Sequence, residues 1–136
     1  MGADTLLRQA VVGTVAAAIA VAIVFLIGDA ISGPLLAAQP GSDVSEEVPL
    51  GGAIFSTVIG GVAGVVLALI ATRTARPARI FVTICVVLLV LYGVVAFVAA
   101  DDVATGIWLN VMHLAAAIPI VGSLAGWLQT RQQAPV

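Results

Sequence analysis

Asn110 and His113 are the only strongly polar pair well inside an apolar stretch of this chain, and their spacing of three puts both on one face of a helix. Gly106 and Ala117 continue that face as a narrow strip of small and polar residues. An imidazole titrates near neutral pH, so it can take or release a proton where other side chains cannot. Placing a polar or ionisable group in hydrocarbon is costly, about 2.5–3.5 kcal/mol for the fully charged types, and such groups turn toward protein or a water-filled cavity. Three chemistries are open to His113. It can sit neutral and hydrogen-bonded inside a bundle, to Thr57, Thr83 or the Tyr92 hydroxyl. It can accept protons in a small transporter or channel, with Asn110 and His113 lining the polar path. It can ligate haem or a metal together with a residue of another chain, since a lone histidine makes no four-ligand site of its own.

The remaining reactive residues are sparse. Cys85, the single cysteine, excludes an internal disulfide and any CxxC site, and among Val, Ile and Leu it reads as a small hydrophobe. Asp29, Asp43, Glu46, Glu47, Asp101 and Asp102 could together offer oxygen ligands to a divalent cation, but no EF-hand spacing occurs. No Ser-His-Asp set, HExxH or phosphate-binding glycine loop is present, so an enzyme is disfavoured, and no cofactor or metal site is called for.

The elements that hold these residues follow from composition. Of 136 residues 62% are hydrophobic and 9% charged, with a mean hydropathy of +1.23. A soluble domain keeps about a quarter of its residues charged. Here the charges are too few to coat a water-facing surface, so membrane lipid is the solvent. A net charge of -2 with no basic stripe argues against a nucleic-acid partner. A span takes roughly 20 apolar residues, and four such stretches occur at about 9–31, 51–71, 79–100 and 103–128. The first is longer than a signal-peptide core and is expected to be a retained helix.

Orientation follows from charge. All five basic residues are arginines: Arg8, Arg73, Arg76, Arg79 and Arg131. With an even number of spans they share one membrane face, and the acidic residues other than Asp4 share the opposite one. Retention of arginine inside predicts cytoplasmic termini and a cell (cytoplasmic) membrane location. Residues 72–78 form a tight basic turn, and the link at Asp101 and Asp102 is shorter still, so neighbouring spans run antiparallel. The outer loop at about 32–50 carries Pro34, Pro40, Gly41 and Pro49 and is expected to be irregular, with Pro34 to Ala38 able to form a short helical turn.

Helices in lipid associate by close packing, and small residues four apart permit it. The second span has a row of them: Gly52, Ser56, Gly60, Gly64, Ala68 and Thr72, widened by Gly61. That row is either internal packing or a docking face for a second copy or a membrane partner subunit. Gly13 with Ala17, and Gly122 with Gly126, are weaker pairs. Pro119 predicts a bend in the fourth span. Trp108, Trp127 and the deeper Tyr92 are candidates for interfacial anchors.

At Arg76-Pro77-Ala78-Arg79 through the third span, then Val111-Met112-His113-Leu114 and Pro119 in the fourth, the chain resembles the DUF6069 family of small four-span bacterial membrane proteins of unknown function. The resemblance implies a four-helix bundle in the cytoplasmic membrane and brings no activity, cofactor or catalytic residue. The expected fold is a single all-α, antiparallel four-helix membrane bundle. The expected role is that of a non-enzymatic accessory subunit or self-associating protein.

Overall fold

The computed structural model describes residues 3–38, 42 and 44–133. Four helices form nearly all of it: α1 (Ala3–Ser32), α2 (Leu50–Ala71), α3 (Pro77–Ala99) and α4 (Val103–Gln133). Two short strands, β1 (Leu36–Ala38) and β2 (Ser45–Glu47), lie between α1 and α2. Even α2, with 22 residues, reaches about 33 Å at 1.5 Å per residue, against a hydrocarbon layer of about 30 Å. All four helices are long and apolar enough to cross a membrane. The protein is an all-α, multi-pass membrane bundle whose Val, Ile and Leu side chains point mostly outward, as Val90, Val98 and Ile118 do.

Two helices outrun their apolar stretches: α1 starts at Ala3 rather than near Gln9, and α4 continues to Gln133 rather than ending near Leu128. Pro77 opens α3 instead of lying before it. Its ring pre-sets φ, and the N–H it lacks would have had no helical partner there.

α4 touches all three other helices. α1 lies along one side of it and α3 along another, while α2 packs chiefly on α1. Neighbouring residues of α1 make the junction. Gly13 faces α4, where an added Cβ would come within 3.0 Å of the Pro119 carbonyl oxygen and would collide with Ser123. Thr14 reaches the other way and fills the space a side chain at Gly61 of α2 would need. Ala17, one turn on, is fully buried. The buried side chains form two clusters. Leu6, Ala71, Ala78, Phe81, Trp127 and Leu128 gather at the arginine-bearing end, and Val21, Phe25, Leu35 and Met112 at the acidic end. Trp127 is therefore core rather than an anchor in the headgroups: it is 5% exposed. The Arg131 guanidinium lies over its ring at 5.0 Å. Trp108 sits at the acidic boundary, lies against Gly28, and donates its indole N–H to Ser32 Oγ at 2.9 Å.

In the loop between α1 and α2, residues 36–38 and 45–47 are strands rather than irregular or helical, while the other described residues, 33–35, 42, 44, 48 and 49, are irregular as expected. β1 and β2 pair antiparallel, Leu36 opposite Glu47 and Ala38 opposite Ser45. The free edge of β1 meets the α3–α4 turn: Ala37 bridges Ala100, and the Asp101 N–H donates to the Leu36 carbonyl at 3.0 Å. Ser45 Oγ donates to Asp101 Oδ1 at 3.0 Å. A helical turn over these residues would leave the α3–α4 turn without backbone partners. It would also withdraw Leu35, which is 1% exposed and plugs the acidic end of the bundle. Pro40, Gly41 and Asp43 lie outside the described residues.

Asp102 starts α4. Its Oδ1 accepts the Thr105 N–H at 2.8 Å and its Oδ2 accepts the Thr105 hydroxyl at 3.1 Å. The Thr105 backbone N–H, more than any other contact, holds this carboxyl below its ordinary range. A carboxyl with a depressed folded pKa stabilises above its unfolded pKa of about 3.9 and loses that contribution as pH falls through the folded value. Amide hydrogen exchange at Thr105 is expected to be better protected in the wild type than in Asp102→Ala at neutral pH. The two should converge as pH drops below the carboxylate range. Gly61→Leu, which drives a side chain into Thr14, should destabilise the bundle by about 1–3 kcal/mol in a detergent thermal melt, the usual cost of overpacking. Gly51→Leu, with open space before it, should not.

Candidate functional site

The polar residues of α4 lie against α3 at mid-membrane. His113 comes ten residues after the start of α4 at Val103, about 15 Å into a layer of about 30 Å. Asn110, one turn earlier, faces the single glycine of α3. Its Nδ2 donates to the Gly93 carbonyl at 3.1 Å and to the Gly106 carbonyl of its own helix at 2.9 Å. A Cβ at Gly93 would fall 2.5 Å from Asn110 Oδ1. In return, Gly106 of α4 makes room for Phe97 of α3, whose Cδ2 lies 2.9 Å from where a Cβ would be. Each helix thus gives the other a glycine, and the asparagine amide ties the two backbones together.

His113 shares the seam but is only half-buried. Its Nδ1 lies 2.7 Å from the Leu109 carbonyl, one turn back. A carbonyl only accepts, so Nδ1 carries the proton at this contact. The ring stacks on Tyr92 of α3 with centroids 6.4 Å apart and planes inclined by 17°. Tyr92 is 59% exposed, which puts one side of the pair toward lipid. The partners expected for His113 are not the ones it has. Thr57 Oγ1 donates to Ala53 on its own helix at 2.8 Å. Thr83 lies toward the arginine-bearing end, and Tyr92 contributes its ring face rather than its hydroxyl. The sequence reading missed Gly93, although a lone glycine in an otherwise β-branched and leucine-rich span marks a close contact.

The arrangement supports packing better than conduction. One Asn110 donor is used across to α3 and the other on its own helix, and two clefts beside α3 at the arginine-bearing end are lined by neither Asn110 nor His113. Among the described residues, no three His, Cys, Asp or Glu side chains gather as a metal site.

The small-residue row of α2 does not stay on one face. Residues four apart advance about 40° around a helix of 3.6 residues per turn, so the row winds from lipid into the bundle. Ala68 is fully buried, and Gly64 meets Leu124 at 3.1 Å and Ile120 at 3.3 Å. Ser56 is exposed, Gly60 has nothing within 4 Å of its Cβ position, and Gly52 meets only Pro49. The Gly122 and Gly126 pair of α4 also faces open space.

A protein-family model, described as a family of unknown function (DUF6069), matches residues 2–130. No curated protein and no solved structure matches the chain.

The α3–α4 seam can be measured by a double-mutant cycle on Asn110→Ala and Gly93→Ala. Each single change should destabilise the bundle, Asn110→Ala by about 0.6 kcal/mol, the average for hydrogen bonds between membrane helices, and by no more than about 1.7 kcal/mol. The second should cost less once the first is made, because removing the amide vacates the space the new methyl needs. Strict additivity would mean the two residues do not meet.

Proposed function

This chain belongs to the DUF6069 family, and for it we propose a role carried by helix packing: a non-enzymatic membrane protein that binds a second copy of itself or a membrane partner subunit. The supporting observation is the division of α2 into two small faces. Gly61 and Gly64 are filled from within by Thr14, Leu124 and Ile120, whereas Ser56 and Gly60 form a flat step with nothing against it. Glycine is a poor helix former, and a glycine step on the lipid side gains its value when another backbone comes close. Small transporters and channels need a wetted route through the hydrocarbon, and the hydrogen bonding of Asn110 into the α3–α4 seam supports no such route.

Both termini face the cytoplasm in this proposal. The support is the clustering of Arg8, Arg73, Arg76, Arg79 and Arg131 at one end of the bundle, opposite Glu46, Glu47, Asp101 and Asp102.

Substitution at adjacent glycines separates docking from folding. Gly60→Leu should abolish association, read by cross-linking or single-molecule photobleaching in vesicles, while leaving the thermal midpoint of the bundle near the wild-type value. Gly64→Leu, which presses on Leu124 and Ile120, should lower that midpoint. Association that survives Gly60→Leu unchanged would rule out this face. Reporter fusions at both termini should read cytoplasmic.

A further inference from the structure

At the arginine-bearing end, two clefts flank the start of α3. One, of about 390 Å³, is lined by Arg76, Arg79, Thr83, Ile80 and Ile84. The other, of about 480 Å³, shares Arg76, Arg79 and Thr83 and adds Gln129 and Gln132 of α4 with Val82. Arg76 and Arg79 therefore line both clefts. Neither has a carboxylate partner among the described residues, and Asp4 is the only acidic residue of the sequence at this end. Arg131, by contrast, is occupied by the Trp127 ring.

The start of α3 adds to the same field. Arg76 is its N-cap residue and makes no side-chain capping bond, and the first turn contains no acidic residue. The amides of Ala78 and Arg79 are thus left without a capping side chain, at the helix end that favours anions. Below this polar rim the walls are apolar: Ile80 and Ile84 in one cleft and Val82 in the other, one to two turns deeper into the span.

We infer that Arg76 and Arg79, which line both clefts, bind the phosphodiester headgroup of an anionic glycerophospholipid, with Gln129 and Gln132 as further donors on the side of the second cleft and an acyl chain along Ile80 and Ile84 on the side of the first. Charge complementarity selects a phosphate-bearing anion. Arginine offers it a planar, bidentate donor set. The apolar walls select a lipid over free phosphate, since inorganic phosphate would gain nothing from Ile80 and Ile84. The second cleft lies between α3 and α4, and a basic pocket between transmembrane helices at a headgroup layer is the geometry that retains acidic lipids. The inference rests on the four-span bundle and is independent of the packing role. An Arg76/Arg79 variant can lose lipid while still associating through Gly60.

The test is native mass spectrometry of the full chain in neutral detergent, offered equal amounts of phosphatidylglycerol and phosphatidylcholine with matched acyl chains. The wild type should retain phosphatidylglycerol preferentially. Arg76→Gln combined with Arg79→Gln should weaken that retention by about 25-fold, at about fivefold for each arginine removed. Arg73→Gln, which removes an arginine that lines neither cleft, should change it by less than about twofold. Single Arg79→Gln decides the matter if the double variant does not purify as a monodisperse species. Equal retention of the two lipids, or an unchanged preference in the arginine variants, overturns the proposal. Release of phosphatidylglycerol by millimolar inorganic phosphate also overturns it, by assigning the clefts to a soluble anion.

Discussion

Two helices surrounded by hydrocarbon gain no hydrophobic free energy by meeting. Whatever holds α1, α2 and α3 to α4 must come from atoms brought into close contact and from polar groups that lipid leaves unsatisfied. The bundle uses both. Gly13 and Ala17 bring α1 against α4, Thr14 fills the hollow at Gly61, and Asn110 spends its two donors on carbonyls of α3 and α4. Overpacking at one of these points acts on the whole assembly, because α4 is common to most of the helix contacts.

The two ends are built differently. At the arginine-bearing end α2 and α3 are joined by a tight turn. The threonines near it, Thr72 and Thr74, donate back to Leu69 and Ala71 at 2.6 and 2.7 Å, so the turn satisfies itself and leaves its arginines unengaged. At the acidic end the connections satisfy one another: β1 pairs with β2 on one edge and with the α3–α4 turn on the other. One end is open and charged, and the other is closed by Leu35.

The spans were legible because hydrophobic stretches of membrane length leave little choice, and the sharing of one end by all the arginines was legible from an even span count. What the sequence concealed was angular. A row of small residues at intervals of four looks straight on paper but turns about 160° between Gly52 and Ala68, so it divides between interior and lipid. The pairs set aside as weaker behaved unequally for the same reason: Gly13 and Ala17 are buried, whereas Gly122 and Gly126 face outward. The strands were hidden because they are three residues long and because β1 is fixed in part by a backbone partner, Asp101, that lies 65 residues after Leu36. Of the candidate pair, co-location on one face of α4 was readable. The stacking of His113 on Tyr92 was not, since it depends on how α3 rotates against α4.

Leu36 gives its carbonyl to Asp101, a residue that emerges from the ribosome 65 positions later. The first hairpin of the protein therefore cannot complete the cap at its acidic end while only two spans have been inserted. Until the third span and the Asp101 turn have followed, the β1 edge lacks its backbone partner, and closure of that end must await the second hairpin. Topogenesis and folding are coupled at this one backbone hydrogen bond. A chain truncated after α2 would leave the β1 edge at the acidic end without that partner.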